Sequence, residues 1–186
     1  MQELKKYLIT DPEYYSNELI KFEKTLTQVL TKHTINYACF RDKTSTNIEE
    51  LAQVFITTCK KCGIENIFIN QYIEVGKSLG FDGVHLTSVQ FGQIKEVKEL
   101  GLQTVVSCHT YGEIEKAMGA HANMVTYSPI FKTPNKDEPK GINNLKVAIE
   151  RYDIPIIALG GIVSPEHLEL LQKVDAKAFA SIRYFI

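Results

Sequence analysis

Eight short β-like runs alternate with helix-like stretches along this chain, and that alternation constrains the fold more than any other feature. The runs are Tyr7–Thr10, Asn36–Phe40, Asn66–Asn70, Gly83–Leu86, Gln103–Ser107, Met124–Tyr127, Pro155–Leu159 and Ala178–Ser181. The first intervening stretch, Ser16 to about Leu30, places Leu19, Ile20, Phe22, Leu26 and Leu30 roughly on one face. Further helices are expected from Asn47 towards Cys62, then over Tyr72–Leu79, Phe91–Leu100, Tyr111–Met118, Asn143–Tyr152 and Ser164–Val174. The punctuation agrees. Asn47-Ile-Glu-Glu50 has the form of a capping box, and Ser164-Pro165 sets a cap residue before a first-turn proline. Gly63, Gly80 and Gly101 close three of the helices.

With 186 residues and no linker or low-complexity segment, residues 1–186 read as one α/β domain, a closed (β/α)8 TIM barrel. An open doubly wound sheet competes with it, but the first strand-to-helix turn lacks the glycine fingerprint of a dinucleotide site. The sequence ends at Ile186, just past the eighth run, so the barrel is expected to lack its final helix and to leave one flank bare. Uncovered apolar surface there, including Arg183-Tyr-Phe-Ile186, leads to the expectation of a homodimer.

The formal net charge of −1 gives no global field for nucleic acid or an anionic membrane. The opening Met1-Gln-Glu-Leu-Lys-Lys-Tyr has no signal-peptide core, and no apolar run approaches the ~20 residues that span a bilayer. A cytoplasmic protein without nucleic-acid or membrane partners is expected. Cys59-Lys-Lys-Cys62 has redox or zinc spacing, yet no second such pair and no trailing histidines complete a site. The chain's other cysteines are Cys39 and Cys108, and the Cys59/Cys62 pair reads as two ordinary thiols, with no metal site.

Polar residues at the C-terminal ends of barrel strands are the chemical suspects. Here they are Arg41, Lys43, Asn70, His85, Ser107, His109, Ser128 and the loop carrying Thr133, Asn135 and Lys136. A hydroxyl, an amide and a compact cation in that loop suit phosphate or pyrophosphate oxygens. The run Ile156-Ile-Ala-Leu-Gly-Gly-Ile162 drives an apolar strand into paired glycines, whose bare N–H groups can approach an anion. The plainer reading is a connection with turn glycines. There is no G-x-S-x-G elbow and no carboxylate pair, so the rim favours an anionic, phosphorylated substrate over hydrolase chemistry.

In order along the chain, Tyr7-Leu-Ile-Thr-Asp11, Phe40-Arg-Asp-Lys43, Phe68-Ile-Asn70, Gly83-Val-His-Leu86, Ser107-Cys-His109, Pro129-Ile-Phe-Lys-Thr133 to Lys136, and Ala158-Leu-Gly-Gly-Ile162 resemble thiamin phosphate synthase and its relative TenI. The resemblance implies a (β/α)8 barrel in thiamin biosynthesis. One branch couples hydroxymethylpyrimidine pyrophosphate to a thiazole phosphate through a pyrimidine carbocation, with Mg²⁺ and cations on the departing pyrophosphate. The TenI branch tautomerises a thiazole carboxylate phosphate. By the same resemblance Arg41, Lys43 and Asn70 meet the pyrimidine pyrophosphate, while Ser107 and Lys136 bind pyrophosphate oxygens. Gly160, Gly161 and the backbone around Ser181 and Ile182 cradle the thiazole phosphate.

Four positions depart from the pattern. Gln71 and Gln90 stand where the synthase has metal-holding aspartates, Cys39 where a glutamine reads the pyrimidine, and Pro129 where some TenI proteins have a histidine. His109 is then the candidate base, against a plain hydrogen bond to a neighbouring loop. His85 is expected to orient a loop, and His33, His121 and His167 to lie on the surface. The leading expectation is a TenI-like protein that needs no cofactor, binds a thiazole phosphate and tautomerises it through His109, Ser107 and Lys136. A synthase using Mg²⁺ and a non-catalytic phosphate-ligand binder are the alternatives.

Overall fold

A computed structural model describes residues 3–134 and 136–186. Strands β1 (Lys5–Ile9), β2 (Tyr37–Phe40), β3 (Ile67–Asn70), β4 (Gly83–Leu86), β5 (Gln103–Cys108), β6 (Met124–Tyr127), β7 (Ile156–Leu159) and β8 (Ala178–Ser181) close in sequence order into a parallel barrel. Helices α1 (Pro12–Tyr15), α2 (Leu19–Lys32), α3 (Ile48–Lys61), α4 (Ile73–Leu79), α5 (Ile94–Glu99), α6 (Tyr111–Gly119), α7 (Gly141–Arg151) and α8 (Pro165–Lys173) surround it. The barrel expected from the alternation is therefore what forms.

Alternation within each strand sorts the side chains between two cores. Tyr7, Ile9, Cys39, Phe68, Val105, Met124, Ile157, Ala178 and Ala180 fill the interior. Their neighbours Leu8, Phe40, Ile67, Ile69, Val84, Val106, Val125, Ala158 and Phe179 pack outward against the helices. Closure joins β1 to β8, with Tyr7 opposite Ala180 and Leu8 opposite Ser181.

Several boundaries move for local reasons. Asp11-Pro12 ends the first strand as expected but also opens a helical turn, because the Asp11 carboxylate accepts the Glu13 N–H at 3.1 Å. The next helix consequently starts at Leu19, not Ser16. Asn47 does precede α3, yet its side chain caps nothing and donates instead to the Asn17 carbonyl at 3.2 Å. The stretch opening at Phe91 is a 3₁₀ turn, Phe91–Gln93, before α5 begins. All four cysteines are free, and burial pushes the Cys39 thiol up to about 12.

The expectation of a bare flank needs correction. After β8 the chain forms a 3₁₀ turn, Arg183–Phe185, whose aromatics fold back over the strand. Phe185 stacks on Phe179 at 5.9 Å and Tyr184 meets Phe179 edge-on at 5.1 Å. Phe179, and Leu8 on the neighbouring strand, are fully buried. His33, expected on the surface, packs its edge against Phe185 at 5.6 Å and belongs to the same cover. The argument for a homodimer from an uncovered flank loses its premise, although Ile186 remains half exposed. Among the described residues no helix is long and apolar enough to cross a membrane.

Candidate functional site

Sequence alternation carries polar residues to the interior positions nearest the C-terminal ends of β3, β4 and β5. Asn70 ends β3 almost fully buried and donates from Nδ2 to the His85 carbonyl at 2.7 Å. His85 lies inside the barrel, 3% exposed, and does not position a loop. Its Nδ1 faces the Tyr7 hydroxyl at 3.2 Å, its Nε2 faces Ser107 Oγ at 3.1 Å, and its ring stacks on Tyr7. Burial, reinforced by the Arg41 charge, pushes its pKa down to about 3. The ring is neutral at ordinary pH.

Beside this polar floor stand three cations. Arg41 follows β2 and pairs with Asp11, while its backbone N–H donates to Thr10 Oγ1 at 2.9 Å. Partial burial lowers the Lys43 pKa, and repulsion from Arg41 and Lys136 lowers it further against a weaker pull from Asp11. Lys43 thus lies within electrostatic reach of both Arg41 and Lys136. Thr133 donates its hydroxyl to the Phe131 carbonyl at 3.0 Å and so serves its own loop. Asn135 lies outside the described residues.

One contributor was missed in the sequence. Asp42, 3% exposed, accepts the N–H groups of Thr44 and Ser45 at 2.9 Å each and the Ser45 hydroxyl at 2.7 Å. Burial raises its pKa, but these hydrogen bonds outweigh burial and hold the carboxyl below its ordinary value. Asp42 shapes the turn that presents Arg41 and Lys43. The signal was available in Asp42-Lys-Thr-Ser45, an Asx-type turn sequence.

The paired glycines have a packing reason. Gly160 and Gly161 have φ of +97° and +70°, and a Cβ on either would lie 2.7 Å from backbone of the Pro129–Lys132 segment. That segment is hydrogen-bonded to the turn, Ile130 N–H to the Leu159 carbonyl and Phe131 N–H to the Gly160 carbonyl, both at 2.9 Å. Ser181 donates to the Ile162 carbonyl at 2.7 Å and accepts the Tyr184 N–H at 3.1 Å, joining the ends of β7 and β8. Its side chain is therefore a strut, and Ile182 next to it packs against the barrel interior. Among the described residues no hydrogen bond uses the N–H of Gly160, Gly161 or Ile182.

His109 follows β5. Its backbone N–H donates to the Glu113 carboxylate, which with Thr110 forms a capping box on α6. Its Nδ1 lies 3.0 Å from the Ser128 carbonyl and 3.2 Å from Ser128 Oγ. A carbonyl oxygen only accepts, so Nδ1 carries the proton and Nε2 keeps its lone pair. No described residue hydrogen-bonds to that Nε2. The loop hydrogen bond expected of His109 is present, and its Nε2 has no described partner.

The residues present do not fit a Mg²⁺ ion. Gln90 Oε1 already accepts from the Thr87 N–H and hydroxyl at 3.0 Å each, and its Nε2 donates to Gln93 at 2.7 Å and to the Gln71 carbonyl at 3.3 Å. Of the carboxylates flanking the mouth, Asp11 is paired with Arg41 and Asp42 is saturated within its turn. A hard cation wants several free oxygen charges, which this donor set lacks.

Together these features define a (β/α)8 barrel whose strand C-termini converge cations, hydroxyls and bare N–H groups, an arrangement suited to a phosphorylated small molecule. The thiamine monophosphate synthase (TMP-TENI) family model matches residues 6–185, and the chain belongs to that family. Two curated relatives bear the name "Putative thiamine-phosphate synthase", the second with the numeral 2. The one from Geobacter sulfurreducens is 31% identical over 66% of this chain and 59% of its own length. The one from Aquifex aeolicus is 31% identical over 97% of this chain and 96% of its own length. A solved thiamine phosphate pyrophosphorylase from Pyrococcus furiosus shares the fold, with a TM-score of 0.80 at 21% identity over 96% of this chain and 85% of that one.

Proposed function

We propose that this protein binds a thiazole phosphate at the mouth formed by β7 and β8 and moves a proton on the thiazole through His109. The observation that supports it most is the His109 ring. The Ser128 carbonyl fixes Nδ1–H, which leaves Nε2 basic and without a protein partner near the cationic rim. In the tautomerisation Nε2 takes a proton from one ring position, and the imidazolium returns it at another, so a single base closes the cycle without net loss of charge or electrons. The phosphate is held by the N–H groups of Gly160, Gly161 and Ile182, which have no described partner. Arg41, Lys43, Lys136, Ser107 and Asn70 line the adjoining anion region.

Coupling of the thiazole to a pyrimidine pyrophosphate is the reading that relatives' names favour, but the uncharged, preoccupied Gln90 argues against it here. Both activities are measured on one protein sample. Incubation with the thiazole carboxylate phosphate in D₂O, followed by NMR, should show tautomer exchange and deuterium uptake that His109→Gln loses by about 10²-fold or more. Equal exchange in His109→Gln, or fast Mg²⁺-dependent coupling without exchange, would sink this assignment.

A further inference from the structure

Tyr7, His85 and Ser107 form a line through the barrel interior to its mouth, and its proton positions follow from burial. Tyr7 is fully buried among Ile9, Cys39, Phe68, Val105 and Ala180, so its hydroxyl proton needs an acceptor inside the barrel. Two neighbours qualify. The Cys39 sulfur is a weak acceptor, and its S–H turns to the Phe40 carbonyl at 3.6 Å. His85 Nδ1, at 3.2 Å, is the strong one. A tyrosine that donates to Nδ1 leaves the imidazole proton on Nε2, which then donates to Ser107 Oγ at 3.1 Å. Ser107 has accepted, so its own proton is left over, and no other described residue receives it.

We infer that Tyr7 and His85 are positioning residues that lock Ser107 as a hydrogen-bond donor facing the mouth. The opposite tautomer would reverse every bond in the line. Ser107 would donate inward to Nε2 and show an incoming anion only lone pairs, which repel it. The direction set by Tyr7 therefore decides whether Ser107 helps or hinders a phosphate oxygen. The strongly depressed pKa of His85 fits, since a doubly protonated ring would erase the distinction. This inference rests on reading the mouth as an anion site.

The test has two arms on the full chain. In the first, ¹⁵N-histidine NMR at neutral pH should show His85 as the neutral Nε2–H tautomer, and Tyr7→Phe should mix the tautomers. A His85 in the Nδ1–H form, or an unchanged ratio in Tyr7→Phe, overturns the relay whatever binds at the mouth. In the second, pyrophosphate is titrated into the native chain, Tyr7→Phe, Ser107→Ala and the double variant. Tyr7→Phe should weaken binding roughly three- to tenfold, the worth of one misdirected hydrogen bond, and should have no further effect once Ser107 is alanine. Equal losses in both backgrounds would mean that Tyr7 acts only on packing, and would overturn the positioning role. If no variant binds pyrophosphate, the anion reading of the mouth fails, and the first arm still decides the relay.

Discussion

The two ends of the barrel are built from the same eight strands and differ in kind. At the C-terminal mouth the interior positions are Asn70, His85, Ser107 and Ser128; hydrogen bonds join the first three, and Ser128 pairs with His109. At the N-terminal floor they are Tyr37, Met124, Ile157 and Ala178, which surround a cavity of ≈360 Å³ rimmed by Lys5, Asp175 and Lys177. A second hollow of ≈280 Å³ lies beside Gln71, Tyr72 and Gln93, off the barrel axis. The ≈360 Å³ cavity thus lies at the end away from the polar layer, whereas the hollow beside Gln71 borders the C-terminal end of β3. We locate the site by convergent donors and charges, because a void lined by aliphatic groups supplies room but no force on a phosphate. The contrast also has a stability side, since the polar layer confines groups that must stay neutral or paired.

Four experiments press on that contrast. The largest effect is expected from acid. The folded-state pKa of His85 is about 3, below its ordinary 6.5, so folding favours the neutral ring. The stabilisation is complete above pH 6.5 and is lost progressively as pH falls from there to about 3, on the order of 5 kcal/mol in all. Denaturant unfolding across that range should show a steeper loss for the native chain than for His85→Gln. Parallel slopes would mean that the ring is not held neutral.

Next comes Gly161→Val. Its φ of +70° and the 2.7 Å approach to the Lys132 carbonyl leave no place for a side chain. Destabilisation of roughly 3 kcal/mol is expected, together with loss of the thermal shift that phosphate gives the native chain. An undiminished phosphate shift in this variant would remove the glycine turn from the anion site.

A smaller effect belongs to Lys136→Ala. Removing one cation should weaken pyrophosphate binding by about threefold at low salt, and less as salt rises. It should also raise the Lys43 pKa towards its usual value, because Lys136 is one of the charges that depress it. A Lys43 titration that does not move would separate the two lysines.

The smallest effect is expected at the floor. Ala178→Val adds methyl groups next to the ≈360 Å³ cavity and should change stability by about 1 kcal/mol or less in either direction. Anion affinity at the mouth should be untouched. A loss of phosphate binding in this variant would show that the two ends communicate.

What the sequence by itself determined was periodic or punctuated. Strands β4, β6 and β8 fall on the boundaries read from Gly83–Leu86, Met124–Tyr127 and Ala178–Ser181, because an apolar run of four bounded by turn residues has few other uses in this pattern. The cationic rim was legible for the same reason, since strand ends place Arg41 and Lys43 at the mouth whatever the helices do. Tertiary structure alone decided matters that depend on partners distant in sequence. His85 could not be told from a loop histidine until β1 and β5 brought Tyr7 and Ser107 to its two nitrogens. Gly160 and Gly161 suggested bare N–H groups, but only the β6 loop showed that their missing side chains also make room for another backbone. The C-terminal stub suggested an uncovered flank, and only the folded chain turned Tyr184 and Phe185 back onto Phe179. Local periodicity sets which face a residue takes, whereas burial, tautomer and cover are set by whatever the closed barrel places opposite it.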